Sequence, residues 1–125
     1  MSYYLGIDTS NYTTSAAVFD SGTGKVVHRK KLLPVAEGSL GLKQSDAVFA
    51  HVKQLPQILE ELFFALPSIS LAAVGVSTRP RNAADSYMPC FLTGKLAASA
   101  ICSANRLPLY EFSHQWATSQ RPCIQ

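Results

Sequence analysis

Charge is scarce in this chain, and so are cysteines and long apolar runs. Charged residues make up 15% of the 125 positions and the formal net charge is +3. The cations are scattered, with Lys30-Lys31, Arg79, Arg81, Lys95, Arg106 and Arg121 far apart. Net charge alone therefore does not single out nucleic acid as a partner. The three cysteines, Cys90, Cys102 and Cys123, show no C-x-x-C spacing. That pattern fits a reducing compartment better than a disulfide framework. No stretch approaches the ~18 apolar residues of a membrane helix. The first residues lack the basic start and small-residue cleavage site of a secretory signal. The expectation is a cytoplasmic protein with no membrane partner. There is no H-E-x-x-H and no evident pairing of nucleophile and base, so peptidase chemistry finds no support. Internal repeats and linkers are absent too.

What is present is enough for one packed domain. Hydrophobic residues make up 47% of the chain, which excludes disorder by composition. The run "YYLGID" (Tyr3–Asp8) reads as a buried strand, "DTSNYTT" as a polar turn and "SAAVFD" (Ser15–Asp20) as a second strand. "SGTG" (Ser21–Gly24) supplies two glycines for a hairpin turn, and "KVVHRKKLL" (Lys25–Leu33) reads as a third strand. Together these predict an antiparallel meander.

A loop over Pro34–Gln44 leads to Ser45-Asp46, which suit a helix cap. Val48, Val52, Leu55, Leu59, Leu62, Phe63 and Leu66 then recur at steps of three and four, one apolar face of a helix. Pro56 is expected to kink it. "SLAAVGVS" (Ser70–Ser77) reads as a buried parallel strand. A long loop, Thr78–Pro89, precedes a second helix, "CFLTGKLAASAICSAN", whose small residues favour close packing on a sheet. "LPLYEFS" (Leu107–Ser113) makes the last strand. The order β-β-β-α-β-α-β predicts an α/β domain with a mixed sheet and helices on its faces.

Four stretches in order carry a family resemblance. These are "YLGIDTSNYTTSAAVFD" with its Gly6-Ile7-Asp8-Thr9-Ser10 opening, "SDAVFAHVKQLP" (Ser45–Pro56), "AAVGVSTRPRNAADSYMPCFLTG" (Ala72–Gly94) and "LPLYEFSHQ" (Leu107–Gln115). The chain resembles the N-terminal part of the TsaD family of tRNA threonylcarbamoyltransferases, formerly called glycoproteases or O-sialoglycoprotein endopeptidases. It departs from the main line in the turn Asn11-Tyr12-Thr13-Thr14, where the family has acidic residues, and in Arg79-Pro80-Arg81, where it has G-P-G. It looks like a divergent paralogue branch. The resemblance implies a ribonuclease H-like half of an actin-like ATPase fold, which a helix following the last strand would close.

The resemblance also implies an activity for an intact protein. That activity is transfer of a threonylcarbamoyl group from its adenylate to a tRNA adenosine beside the anticodon, with a divalent metal, a nucleotide and partner proteins. A tight polar turn between two strands presents N–H groups and hydroxyls to a phosphate, so Asp8, Thr9, Ser10 and Asn11 are candidate phosphate or substrate residues. The same residues equally suit a satisfied hairpin turn. Arg79 and Arg81 flank a proline and could grip phosphate or RNA backbone, or be solvated. His51 reads as a partly buried structural histidine, and Tyr87-Met88 as loop packing. The family's metal motif is H-x-x-x-H. His114 is its first histidine, but position 118 is Thr118, so only one ligand of the pair remains.

The last ten residues, 116–125, show no apolar period and no cap, in contrast to 1–115. Codon degeneracy offers a reason. Trp116 is TGG and Ala117 is GCN, so a shifted frame reads Gly and then permits His-Ile-Ala-Ala-Ala-Leu. On that expectation 1–115 is an N-terminal lobe and the tail is out of frame. The chain would then bind no cofactor itself and would be inactive alone, or would serve as a non-catalytic interaction module. Sheet surface left uncovered near Leu109 and Phe112 would favour self-association.

Overall fold

Alternating burial places the first strand. In β1 (Tyr3–Thr9) the side chains of Leu5, Ile7 and Thr9 are buried, while Tyr4 stays partly exposed. That is the period of a strand with one packed face. β2 (Thr13–Asp20) repeats the pattern with Thr14, Ala16 and Val18. The computed structural model describes residues 2–10, 12–34, 44–79 and 89–113. Its other elements are β3 (Val26–Leu32), α1 (Gln44–Phe64), β4 (Leu71–Arg79), α2 (Phe91–Asn105) and β5 (Leu109–Ser113).

The strands form one mixed sheet in the order β3-β2-β1-β4-β5. β1, β2 and β3 are the antiparallel meander expected from sequence, and β4 and β5 add in parallel beside β1. The hairpin between β2 and β3 closes through Asp20, whose backbone and carboxylate accept the N–H groups of Gly24 and Gly22, each at 2.8 Å. Of the two glycines only Gly24 takes a positive φ, at 76°. Both helices precede a strand that runs parallel to β1. They therefore start at the carboxyl end of the sheet and run back along it.

The two helices share one face. Leu5, Ile7, Ala16, Val18, Val74 and Val76 of the sheet meet Leu55, Ile58 and Leu62 of α1 and Ala98 and Cys102 of α2 in a single core. Gly94 lets α2 approach closely. A Cβ there would lie 3.0 Å from Thr9 Oγ1, 3.2 Å from Val76 Cγ2 and 3.3 Å from Ile7 Cγ2. α1 continues as helix through Pro56. The proline is exposed, and so is Val52, whose carbonyl it leaves without an intrahelical partner, so water can take that bond. α2 ends at Arg106, in the left-handed region at φ 55°, with its N–H returned to the carbonyl of Cys102.

Among the described residues no helix covers the other face of the sheet. Register places Tyr4, Gly6 and Asp8 there with Phe19, Ala17 and Ser15 of β2 and with Tyr110 and Phe112 of β5. Tyr4 and Phe19 stack at 6.4 Å, and the Phe112 ring lies over Gly75. Leu109 is a correction to the sequence reading. It faces the helices and packs against the core, because strand parity puts it on the opposite side from Tyr110. The uncovered aromatic surface is that of Tyr4, Phe19, Tyr110 and Phe112. The segment after Ser113, where a closing helix was expected, lies outside the described residues. No helix among those described is long and apolar enough to cross a membrane.

Candidate functional site

Three parallel strands, β1, β4 and β5, end together, and both helices begin beside them. In open α/β sheets the crevice beyond the carboxyl ends of parallel strands is where ligands bind, because loops diverge there and helix N-termini point in. A second buried cluster of Leu33, Ala47, Cys90 and Phe91 braces this end. It joins the residue after β3 to the first turns of α1 and α2.

Asp8 and Thr9, adjacent in sequence, point to opposite faces. Asp8 lies on the uncovered side, where its carboxylate accepts the Ser77 hydroxyl at 2.5 Å. Thr9 is fully buried on the helix side. Its hydroxyl donates to the Cys90 carbonyl at 2.9 Å and accepts the Gly94 N–H at 3.2 Å. Its one proton is committed to Cys90, so Thr9 braces β1 against α2 and has no donor to spare in this arrangement. Ser10 turns its hydroxyl onto the Thr13 carbonyl at 3.3 Å, closing the turn.

Asn11 and Arg81 lie outside the described residues, as do Tyr87-Met88 and His114. For Arg79 the backbone ends β4 opposite Ser113. Of the sequence candidates, the described residues thus bring together Asp8, Thr9 and Ser10 at the mouth, with the β4 terminus alongside. Among the described residues no three His, Cys, Asp or Glu side chains come close enough to hold a metal. By themselves these residues do not fit a metal centre.

Several residues that the sequence reading did not single out complete the region. Ser77 bonds Asp8. The hydroxyls of Thr78, at the end of β4, and Thr93, in the first turn of α2, are buried without a hydrogen-bond partner among the described residues. A buried hydroxyl left unpaired costs about 1–3 kcal/mol, so these two donors mark a place that can accept a polar group. Beneath the turn, His51 of α1 reaches the Ser10 carbonyl at 2.5 Å and the Thr14 hydroxyl at 2.7 Å. His51 is fully buried, where the sequence suggested partial burial. Burial holds its pKa below the usual 6.5, partly offset by the Ser10 bond and by the charge of Asp8. Burial also pushes the Cys90 thiol up to about 11. Cys90 therefore stays protonated at neutral pH and is no nucleophile. The only sequence signal for Ser77, Thr78 and Thr93 was position, at the end of a predicted parallel strand and the start of the helix after it.

Comparison with known proteins agrees with this architecture. No protein-family model and no curated protein matches the chain. Among solved structures, an uncharacterized protein from Pseudomonas aeruginosa with similarity to the peptidase YeaZ superposes with a TM-score of 0.70 at 17% identity. The match covers 97% of this chain and 47% of that one. YeaZ from Pseudomonas aeruginosa gives a TM-score of 0.69 at 17% identity, with the same coverage. The chain spans about half the length of these proteins. Its fold is that of one half of an actin-like ATPase domain, as in the N-terminal half of YeaZ-like proteins.

Proposed function

We propose that this chain is the first lobe of a two-lobed, YeaZ-like or TsaD-like protein. In this reading the mouth formed by β1, β4 and α2 is one wall of a cleft for an adenine nucleotide or adenylate. The intact form would transfer a threonylcarbamoyl group to tRNA in the cytoplasm, with partner proteins and a metal bound elsewhere, and this lobe alone would be inactive. The observation that carries the reading is the pair of buried hydroxyls of Thr78 and Thr93, without a partner among the described residues, beside the turn after Asp8. They lie where a helix N-terminus and the ends of parallel strands favour an anion. In the binding role Thr78 and Thr93 would serve as hydroxyl donors, Ser10 would exchange its bond to the Thr13 carbonyl for one to the ligand, Asp8 would orient Ser77 or a cation on the phosphates, and Arg79, Arg81 and Asn11 would add contacts from the flanking loops.

The test is a titration of the full chain, isotope-labelled, with magnesium–ATP. The expected result is weak, saturable movement of the backbone signals of Ser10, Thr13, Thr78 and Thr93, together with no transfer to tRNA by this chain alone. Movement confined to other regions, or none, overturns the nucleotide reading.

A second reading, a non-catalytic interaction module, is favoured by a different observation. α1 and α2 pack side by side, and they expose Phe49 at 65%, Val52 at 48%, Leu92 at 49% and Leu96 at 70%. Exposed apolar side chains on neighbouring helices suit a protein partner. Replacing Phe49 and Leu96 by Lys would abolish such pairing and leave nucleotide shifts in place.

A further inference from the structure

The polar group beneath the β1–β2 turn does not balance in protons when His51 is neutral. The Ser10 carbonyl can only accept, so His51 Nε2, 2.5 Å away, carries a hydrogen. On a neutral ring Nδ1 is then a bare acceptor, and it faces Thr14 Oγ1 at 2.7 Å. Gln54 is oriented by its own bond, with Nε2 donating to the Leu32 carbonyl at 3.2 Å. Its Oε1 therefore faces the same Thr14 hydroxyl, at 3.1 Å. Thr14 has one proton and two acceptors. All three side chains are buried: Thr14 and His51 fully, Gln54 at 8% exposure. Burial shields the contact from bulk solvent, and an unmet acceptor in such a place is costly. A proton on Nδ1 resolves the conflict. Nδ1 then donates to Thr14, Thr14 donates to Gln54, and Nε2 still donates to Ser10, so each contact has one donor and one acceptor.

We propose that His51 is the positioning residue of the β1–β2 turn, holding it through the Ser10 carbonyl when neutral and tightening the whole Ser10–Thr14–Gln54 group when it takes a second proton. The turn is thereby a proton-responsive wall of the mouth. Its importance for ligand binding rests on the nucleotide reading; the clamp itself does not. Among the described residues, Asp8 at the end of β1 supplies the charge that favours the imidazolium. Lys31, opposite Thr14 on β3, directs its ammonium to Gln57 at 3.4 Å. Nearby, the Cys90 thiol stays neutral. Asp46, Lys53, Glu60 and Glu61 on α1, His28 and Lys30 on β3 and Lys95 on α2 are exposed, and Arg29 on β3 turns its guanidinium to the His28 carbonyl. Burial is the opposing force, so the uptake falls at acidic pH.

Histidine ring nitrogen NMR on the full chain, from pH 8 to pH 5, tests this without any ligand. At pH 8 His51 should be the Nε2–H tautomer. On acidification the backbone signals of Thr13 and Thr14 and the side-chain amide of Gln54 should move with the same midpoint as the ring. That midpoint should lie below 6.5, the ordinary imidazole value. His51→Gln keeps a donor for Ser10 but cannot titrate, so the turn signals should hold their positions and lose their pH response. Gln54→Leu removes the competing acceptor and frees the Thr14 proton for Nδ1, so the His51 midpoint should move further down. That downward move separates a proton conflict from a merely structural histidine, and it keeps the test open if His51→Gln fails to fold. An Nδ1–H tautomer at pH 8, turn signals that stay flat while the ring titrates, or a midpoint unmoved or raised in Gln54→Leu overturns the proposal. The magnesium–ATP titration decides the nucleotide reading separately, since the clamp is read in the free chain.

Discussion

Asp8 and Thr9 stand next to each other in a polar stretch, yet one carboxylate faces the open side of the sheet and one hydroxyl is sealed under α2. Strand parity alone separates them, and it was available from the sequence once the strand was located. The sequence could not supply the partners, because Cys90 and Gly94 lie more than eighty residues further on. His51 follows the same logic. Its place on a helix was legible, but its two bonds depend on how α1 docks on the turn. A stability prediction belongs here. The His51 pKa is lowered in the folded chain from 6.5. Well above 6.5, the ordinary value, both folded and unfolded states are neutral and the group contributes no pH dependence. As pH falls below that, the unfolded chain binds a proton before the folded one. Stability therefore declines until pH drops beneath the folded value. Urea unfolding at a series of pH values from 7.5 to 5.5 should show this decline, and His51→Gln should flatten it.

Elements were legible where period and punctuation agreed. The strand positions and both helices came from alternation, from apolar steps of three and four, and from the glycine-bearing turn. The ends were set by tertiary contacts. β2 begins at Thr13 rather than Ser15, because Thr14 is held by α1 and the Leu33 N–H donates to the Tyr12 carbonyl at 2.8 Å. β4 runs on to Arg79 because β5 pairs with it there across an irregularity. For α2 two substitutions test the packing argument. Gly94→Ala places a methyl against Thr9, Val76 and Ile7, three buried neighbours with little room to give. It should cost about 1–3 kcal/mol, the usual range for overpacking a core. The measurement is the urea midpoint, with loss of the Thr9 hydroxyl bond visible as a shift of the Gly94 amide. Arg106 pays for a left-handed backbone that glycine adopts freely. Arg106→Gly should therefore raise stability by about 0.5–1 kcal/mol, after the entropy that glycine adds to the unfolded chain.

At the scale of the whole molecule, the sheet has one face under two helices and one without a helix among the described residues. On the uncovered face Tyr110 is 60% exposed and Tyr4 40% exposed. An aromatic surface of this kind favours association. Sedimentation of the chain should show a concentration-dependent rise in mass, and the double substitution Tyr4→Lys and Tyr110→Lys should suppress it without altering the helix-side core. A mass independent of concentration would remove self-association from the picture.

The order of elements, the meander, the mixed sheet and the apolar faces were legible in the amino acids alone. Those depend on periods of two and of about 3.6 that neighbouring residues write locally. The sequence also placed a polar turn at the end of the first strand. What each polar residue of that turn does depends on contacts between distant elements. A hydroxyl's role is fixed by which carbonyl or N–H it meets, and here those partners come from α1, β4 and α2. The same holds for the uncovered face. Leu109 and Phe112 are equally apolar in sequence, and the register of β5 against β4 alone sends one to the core and the other over Gly75.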